Sequence, residues 1–125
     1  MLSHAFYNVV HIVGIILLVS ALAGAALRAT SVTVAEDRSM RRLLAILHGG
    51  GAFLVLLGGF GMLARLGIVQ GGSFPAWLWV KIAVWVVLAG AIVVANRRPA
   101  LARPLLLSLP VLGGLAAYMA IYKPF

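Results

Sequence analysis

Three ionisable side chains lie within long apolar runs of the sequence and are its first candidates for chemistry: His11, His48 and Lys81. Ionisable groups are costly inside a bilayer, and for that reason they often mark functional sites there. An imidazole is a common ligand of metals and of haem iron. A lysine amine binds a metal only when it is neutral, a form that low-dielectric surroundings favour. Each residue also has a structural interpretation, in which the histidines hydrogen-bond between packed helices and the lysine extends its ammonium to the membrane surface.

The residues that the sequence lacks narrow this chemistry. The chain has no cysteine, which excludes disulfides, thiolate metal sites and cysteine nucleophiles. Its only two acidic residues, Glu36 and Asp37, fall between apolar runs. This counts against small multidrug transporters and proton antiporters, which generally rely on a carboxylate within the membrane.

The composition indicates the class of fold in which these three residues lie. Of the 125 residues 64% are hydrophobic and 10% are charged, whereas a soluble domain is about half apolar and a quarter charged. Four apolar runs, each about 20 residues long as a membrane-spanning helix requires, extend over residues 5–27, 43–64, 74–95 and about 104–122. We therefore predict an all-α polytopic membrane protein in which residues 1–125 form a single domain of four transmembrane helices. The short connections predict an antiparallel up-down bundle.

Residues in the connections mark the expected helix ends. Thr33 and Glu36 have the spacing of a capping box, which predicts that the second helix begins well before the membrane. Pro75 suits the first turn of the third helix. Pro99 is expected to end that helix, because proline disfavours helix in the residue before it. The first run is too long for a signal peptide and has no basic residue ahead of it, so we expect it to be retained.

The basic residues predict the orientation. Seven lie in the first and third connections, and two, Arg65 and Lys123, lie on the opposite side. The positive-inside rule then places both basic connections in the cytoplasm and both termini outside, in a bacterial inner membrane. The net charge of +8 is scattered rather than gathered in a stripe, which argues against nucleic acid as a partner. An aromatic belt is expected at the outer interface, formed by Tyr7, Trp77, Trp79 and Tyr122.

Depth in the membrane separates the three ionisable residues. His11 lies six residues after the start of the first run and Lys81 seven after the start of the third, about 9–10 Å inside the outer boundary. His48 enters from the opposite face and is expected to be separate from them. An imidazole and an amine at one depth can supply the two axial ligands of a b-type haem.

Three further residues belong to this candidate haem site. Trp85 shares a helix face with Lys81. Arg65 is placed to pair with a haem propionate, and Met62 is a competing axial ligand at a similar depth. Glycines on the second and fourth helices, among them Gly51 and Gly58, permit close helix packing or leave room for a flat macrocycle.

Two segments resemble a known family. Residues 77–82 (WLWVKI) resemble the W-x-x-x-K-[LI] opening of the third helix in the HemJ-type family of small bacterial membrane proteins, and residues 40–46 (MRRLLAI) resemble its basic, leucine-rich entry to the second helix. The related SirB-type family has a similar four-span layout. HemJ-type proteins are protoporphyrinogen IX oxidases that bind a b-type haem, and the resemblance implies that His11 and Lys81 are its ligands. The Pro-Arg-rich aromatic segment after the first helix and the Tyr-His pair of the third helix are absent here. Haem binding is therefore expected to persist more readily than oxidase activity.

The leading hypothesis from the sequence is a small haem b-binding membrane protein with a redox or haem-related role. The alternative is a non-catalytic accessory subunit, which packs against a larger membrane complex or forms a homo-oligomer within the lipid bilayer. A small transporter or channel is a third hypothesis, and it would need dimerisation to enclose a path.

Overall fold

Four long helices make up the described part of the protein. The computed structural model describes residues 2–30, 38–67 and 73–123. Within these ranges the helices are α1 (His4–Ala29), α2 (Arg38–Leu66), α3 (Ala76–Arg97) and α4 (Ala102–Tyr122), with a short 3-10 helix, Pro99–Leu101, before α4. No strand occurs in the described ranges. The all-α prediction is confirmed, and each helix, with α4 taken together with its 3-10 turn, is long and apolar enough to cross a membrane.

The helix ends follow local capping chemistry. Ser3 caps α1, its side-chain oxygen accepting a hydrogen bond from the Phe6 amide at 3.1 Å. Arg98 ends α3 in a non-helical conformation, as expected for the residue before Pro99. The capping box of Thr33 and Glu36 lies outside the described residues.

The start of the third helix differs from the prediction. Pro75 is the N-cap of α3, with φ −65° and ψ 154°, rather than a residue of its first turn. Phe74 therefore precedes the helix. Its ring contacts those of Phe60 and Trp79, with centroids 6.0 and 5.4 Å away. These contacts account for an extended entry segment, because they fix Phe74 against α2 before the helix begins.

The closest helix packing is between α1 and α2. A Cβ added at Gly58 would lie 2.5 Å from the backbone nitrogen of His11, and one added at Gly51 would lie 2.6 Å from that of Leu18. A Cβ added at Gly14 would likewise lie 2.6 Å from the backbone nitrogen of Val55. These neighbours are backbone atoms, so the two helices meet backbone to backbone. Gly51 and Gly58 thus serve close packing, one of the two roles predicted for them.

The other helices pack through side chains. A buried apolar cluster joins α1, α3 and α4 through Leu18, Leu22, Val84, Leu88 and Leu109. Trp77 is buried with Leu63, Leu78 and Met119. Helix α4 is the least covered, and Leu107 and Ile121 on it are each 74% exposed.

Two expectations about individual residues change in the structure. Trp77 lies in the core rather than in an exposed aromatic belt, whereas Trp79 and Tyr122 are exposed. Arg28 is one of the seven basic residues counted above in the first and third connections, but it lies in the last turn of α1 and is buried. In both cases packing against a neighbouring helix determines the exposure, and the position along the chain does not reveal it.

Candidate functional site

Two adjoining cavities lie between the helices, with volumes of about 220 and 560 Å³. We call them together the cavity pair. The larger volume falls within the range of small-molecule sites. Both cavities are lined by a common set of residues: His4, His11, Val55, Met62, Lys81, Trp85 and Ala120. The structure therefore gathers most of the predicted site residues around one space.

His11 is fixed against α2. Its Nδ1 lies 2.8 Å from the carbonyl oxygen of Val55. A carbonyl only accepts, so Nδ1 carries the proton and donates it. In the neutral imidazole the lone pair then resides on Nε2. The hydrogen bond between packed helices that was one interpretation of His11 is present, and it leaves the second ring nitrogen with the lone pair that a ligand needs.

Lys81 faces the same space from α3. It is half-buried, and it lines both cavities together with His11. The structure therefore brings these two residues to one space, since α1 and α3 each contribute one nitrogen-bearing side chain to the lining of both cavities.

Trp85 lies one turn from Lys81 and has two roles. Its indole lines both cavities. Its Nε1–H donates a hydrogen bond of 3.0 Å to the carbonyl oxygen of Ala52. The hydrogen bond ties α3 to α2, so the aromatic wall of the cavity pair is held in one orientation.

His48 is separate from the cavity pair, as its predicted depth indicates. It is buried, and its Nε2–H donates to the carbonyl oxygen of Leu88 at 3.0 Å. This is a second tie between α2 and α3, beside that of Trp85. His48 does not appear in the lining of either cavity.

Two other predicted residues differ in position. Met62 lines both cavities and remains a competing donor. Arg65 is exposed on the last turn of α2, and neither cavity includes it in its lining. The structure does not bring Arg65 to the predicted site.

Two basic residues of the cavity lining were not recognised as site residues from the sequence. His4 lines both cavities, and Lys123 lines the smaller one. The signal for His4 was its spacing of seven residues from His11, which puts both on one face of α1. Lys123 had no such signal, because it follows the last residue of α4 and its position depends on how that helix ends.

The donor set fits a cofactor that brings most of its own ligands. Among the described residues there is no group of three or more His, Asp or Glu that could hold a bare metal ion. Haem iron is already held by its macrocycle and takes one or two axial ligands from the protein. His11 with Lys81 or Met62 meets that smaller requirement.

No family model, curated protein or solved structure matches the chain. The inference of function therefore depends on the cavity pair and on the sequence resemblance.

Proposed function

We propose that the protein is an antiparallel four-helix membrane protein that binds one b-type haem in the cavity pair, with His11 and Lys81 as axial ligands, in a redox or haem-related role. The observation that carries the proposal is the hydrogen bond from His11 Nδ1 to the Val55 carbonyl at the wall of a cavity that Lys81 also lines.

This hydrogen bond is the usual support of a ligating histidine. Histidines that bind metals almost always donate their other N–H to a carbonyl, a carboxylate or water, which fixes the tautomer and the ring orientation. Val55 performs that task for His11. The backbone packing around Gly58 adds to it, because α1 is held at the residue that carries the ring.

Lys81 supplies a second donor, from α3, to the same cavities. When neutral, its amine has the lone pair that ligation requires, and the cavity lining near it includes the apolar side chains of Leu63 and Val84. Trp85 in both cavities and Trp77 in the smaller one offer aromatic surfaces against which a flat macrocycle would pack. When bound, the haem supplies one-electron chemistry.

The resemblance to HemJ-type proteins supports the same ligands, and it does not extend to their reaction. The Tyr-His pair of the family's third helix is missing, and that part of α3 is apolar here. We accordingly propose haem binding without proposing protoporphyrinogen oxidation. In the predicted orientation, the end of the bundle that carries His4 and Lys123 faces away from the cytoplasm.

An absorption spectrum tests the proposal. Protein expressed with ample haem and purified in mild detergent is expected to show a Soret band, and the His11→Ala variant is expected to lose most of it. His48→Ala is the matched control. Both histidines donate to a carbonyl of a neighbouring helix, and only His11 lines the cavity pair. Wild-type protein without a Soret band, or a band that His48→Ala alone abolishes, would refute the assignment.

The accessory-subunit hypothesis stays a prediction. The exposed apolar residues of α4 suit a lipid chain as well as a partner helix, so they do not favour either. Copurification of a second protein at fixed stoichiometry is the measurement that would support it.

A further inference from the structure

The cavity pair contains basic side chains that have no acidic side chain beside them. Lys81, Lys123 and His4 line the smaller cavity, and none of the described residues that line it is acidic. The two acidic residues of the sequence, Glu36 and Asp37, immediately precede the first residue of α2. Met62 is 24 residues further along that helix, which corresponds to about 36 Å at 1.5 Å per residue. With Lys81 neutral as a ligand, Lys123 still brings a positive charge to this cavity, and an anionic group of a bound molecule would balance that charge.

The position of the Lys123 ammonium at the smaller cavity depends on how α4 ends. Lys123 ends α4 in the left-handed conformation, with φ 46°, and its amide donates to the Met119 carbonyl at 3.1 Å. That conformation is uncommon for a residue with a side chain. It brings Nζ to 5.5 Å from the centroid of the Trp77 ring. Lys123 is exposed and Trp77 is buried, so the ammonium lies at the surface against a fixed aromatic face.

The remainder of the lining is apolar, apart from Asn8 in the larger cavity. Beyond its basic residues, the smaller cavity is walled by side chains such as Leu63, Phe60 and Leu78, and the larger one by Ile15, Val84 and Leu109. A molecule complementary to both parts has an apolar body and a negatively charged end. An inorganic anion alone would leave the apolar walls without contacts.

We infer that Lys123, together with His4, binds the carboxylate end of an amphipathic ligand whose apolar body lies in the cavity pair. The inference rests on the proposed function in one respect, since for haem the carboxylate is a propionate. The sequence predicted Arg65 as the partner of the propionate. We assign that role to Lys123 instead, because it lines the smaller cavity.

The first experiment compares haem with its dimethyl ester, which lacks the propionate charges. Both are titrated into protein in a neutral detergent and followed by absorbance. Lys123→Gln is expected to weaken haem binding roughly 10-fold, the effect of one charge-assisted hydrogen bond, and to leave the affinity for the ester unchanged. Arg65→Gln makes the same charge change on a residue outside the lining, and it is expected to leave the preference for haem over the ester intact. Equal weakening of both ligands by Lys123→Gln, or loss of the preference in Arg65→Gln, would overturn the inference.

The second experiment does not depend on haem. A brominated fatty acid and its methyl ester are used as quenchers of tryptophan fluorescence in the Trp79→Phe variant. That background retains Trp77 and Trp85, which line the smaller cavity, and removes the exposed tryptophan. The acid is expected to quench with a midpoint several-fold lower than the ester, and Lys123→Gln is expected to erase the difference. If wild-type protein binds no haem, the proposed function fails and this arm still decides the inference. Identical midpoints for acid and ester would refute it.

Discussion

The two sides of α2 are built by different means. Toward α1, Gly51 and Gly58 let the two backbones touch. Toward α3, the helices are joined by two side-chain ties, from His48 to Leu88 and from Trp85 to Ala52. On the first side no space remains between the helices. On the second side the two helices are joined through side chains, and one of the two ties, Trp85, also lines the cavity pair.

The difference shows how a short, apolar chain combines close helix packing with a cavity between its helices. Close backbone contact gives van der Waals attraction along a whole seam, and between helices in lipid this is a main source of stability. A polar tie between helices contributes about 0.6 kcal/mol on average in lipid. Such a hydrogen bond also fixes the distance between the two helices and the rotation of each helix about its axis. The close packing of α1 and α2 at Gly14, Gly51 and Gly58, which we call the glycine seam, thus stabilises the bundle. The Trp85 tie orients a wall of the cavity pair.

The seam is the part whose disruption has the largest expected effect. In Gly58→Ala the new methyl group would lie 2.5 Å from the His11 nitrogen and 2.6 Å from the Tyr7 carbonyl oxygen. These are backbone atoms, so α1 must move away. We expect the free energy of unfolding to fall by about 3 kcal/mol, measured by denaturant titration in mixed micelles. The haem band is expected to weaken too, since His11 lies at the point of contact.

Gly50→Ala is the matched control for this change. No atom lies within 4 Å of a Cβ added there, and the residue is exposed. Alanine is the better helix former by about 1 kcal/mol, so stability is expected to rise slightly. A similar loss in both variants would show that the seam is not the source of stability.

Much of the fold follows from the sequence because membrane helices leave a strong pattern. Four long apolar runs predict four helices, and the breaks at Pro75 and Pro99 mark the beginning and end of α3 to within a residue or two. The closeness of α1 to α2 was less predictable. Gly49 and Gly50 resemble Gly51 in sequence, yet only Gly51 packs against α1. Which glycine faces a neighbour depends on helix rotation, which a nearly uniform apolar pattern does not specify.

The sequence predicts a site residue well when its position along an apolar run is enough to place it. His11 and Lys81 lie at similar distances from the ends of parallel runs, and the structure places both at one cavity. Position along the chain does not distinguish Arg65 from Lys123. Both lie at the same end of the bundle, and only Lys123 lines a cavity. The distinction arises from the left-handed turn after α4 and from the Trp77 face, neither of which has a sequence pattern.

The second prediction concerns Lys81, on the side of α2 that faces α3 and the cavity pair. A lysine that only extends to the membrane surface keeps its proton, so arginine would replace it with little loss. A ligand must present a lone pair, which a guanidinium lacks at any ordinary pH. We expect Lys81→Arg to lose the low-spin six-coordinate spectrum and to weaken haem binding at least about 10-fold, equivalent to 1.4 kcal/mol.

Lys81→His is the companion variant, because it restores a neutral nitrogen donor at that position. It is expected to keep a low-spin spectrum with shifted bands. An unchanged spectrum in Lys81→Arg would remove Lys81 from the ligands and leave Met62, which lines both cavities, as the next donor to replace.

The smallest expected effect concerns the tie from Trp85, because one hydrogen bond is removed while most of the aromatic wall stays. Trp85→Phe deletes the N–H that donates to Ala52, and we expect the free energy of unfolding to fall by about 0.6 kcal/mol. The haem bands are expected to broaden, since the wall next to Lys81 loses its fixed orientation. Trp79→Phe is the control on the same helix. That side chain is 57% exposed, so neither stability nor spectrum is expected to change. A loss above about 2 kcal/mol in Trp85→Phe would mean that the ties, and not the glycine seam, carry the stability of the bundle.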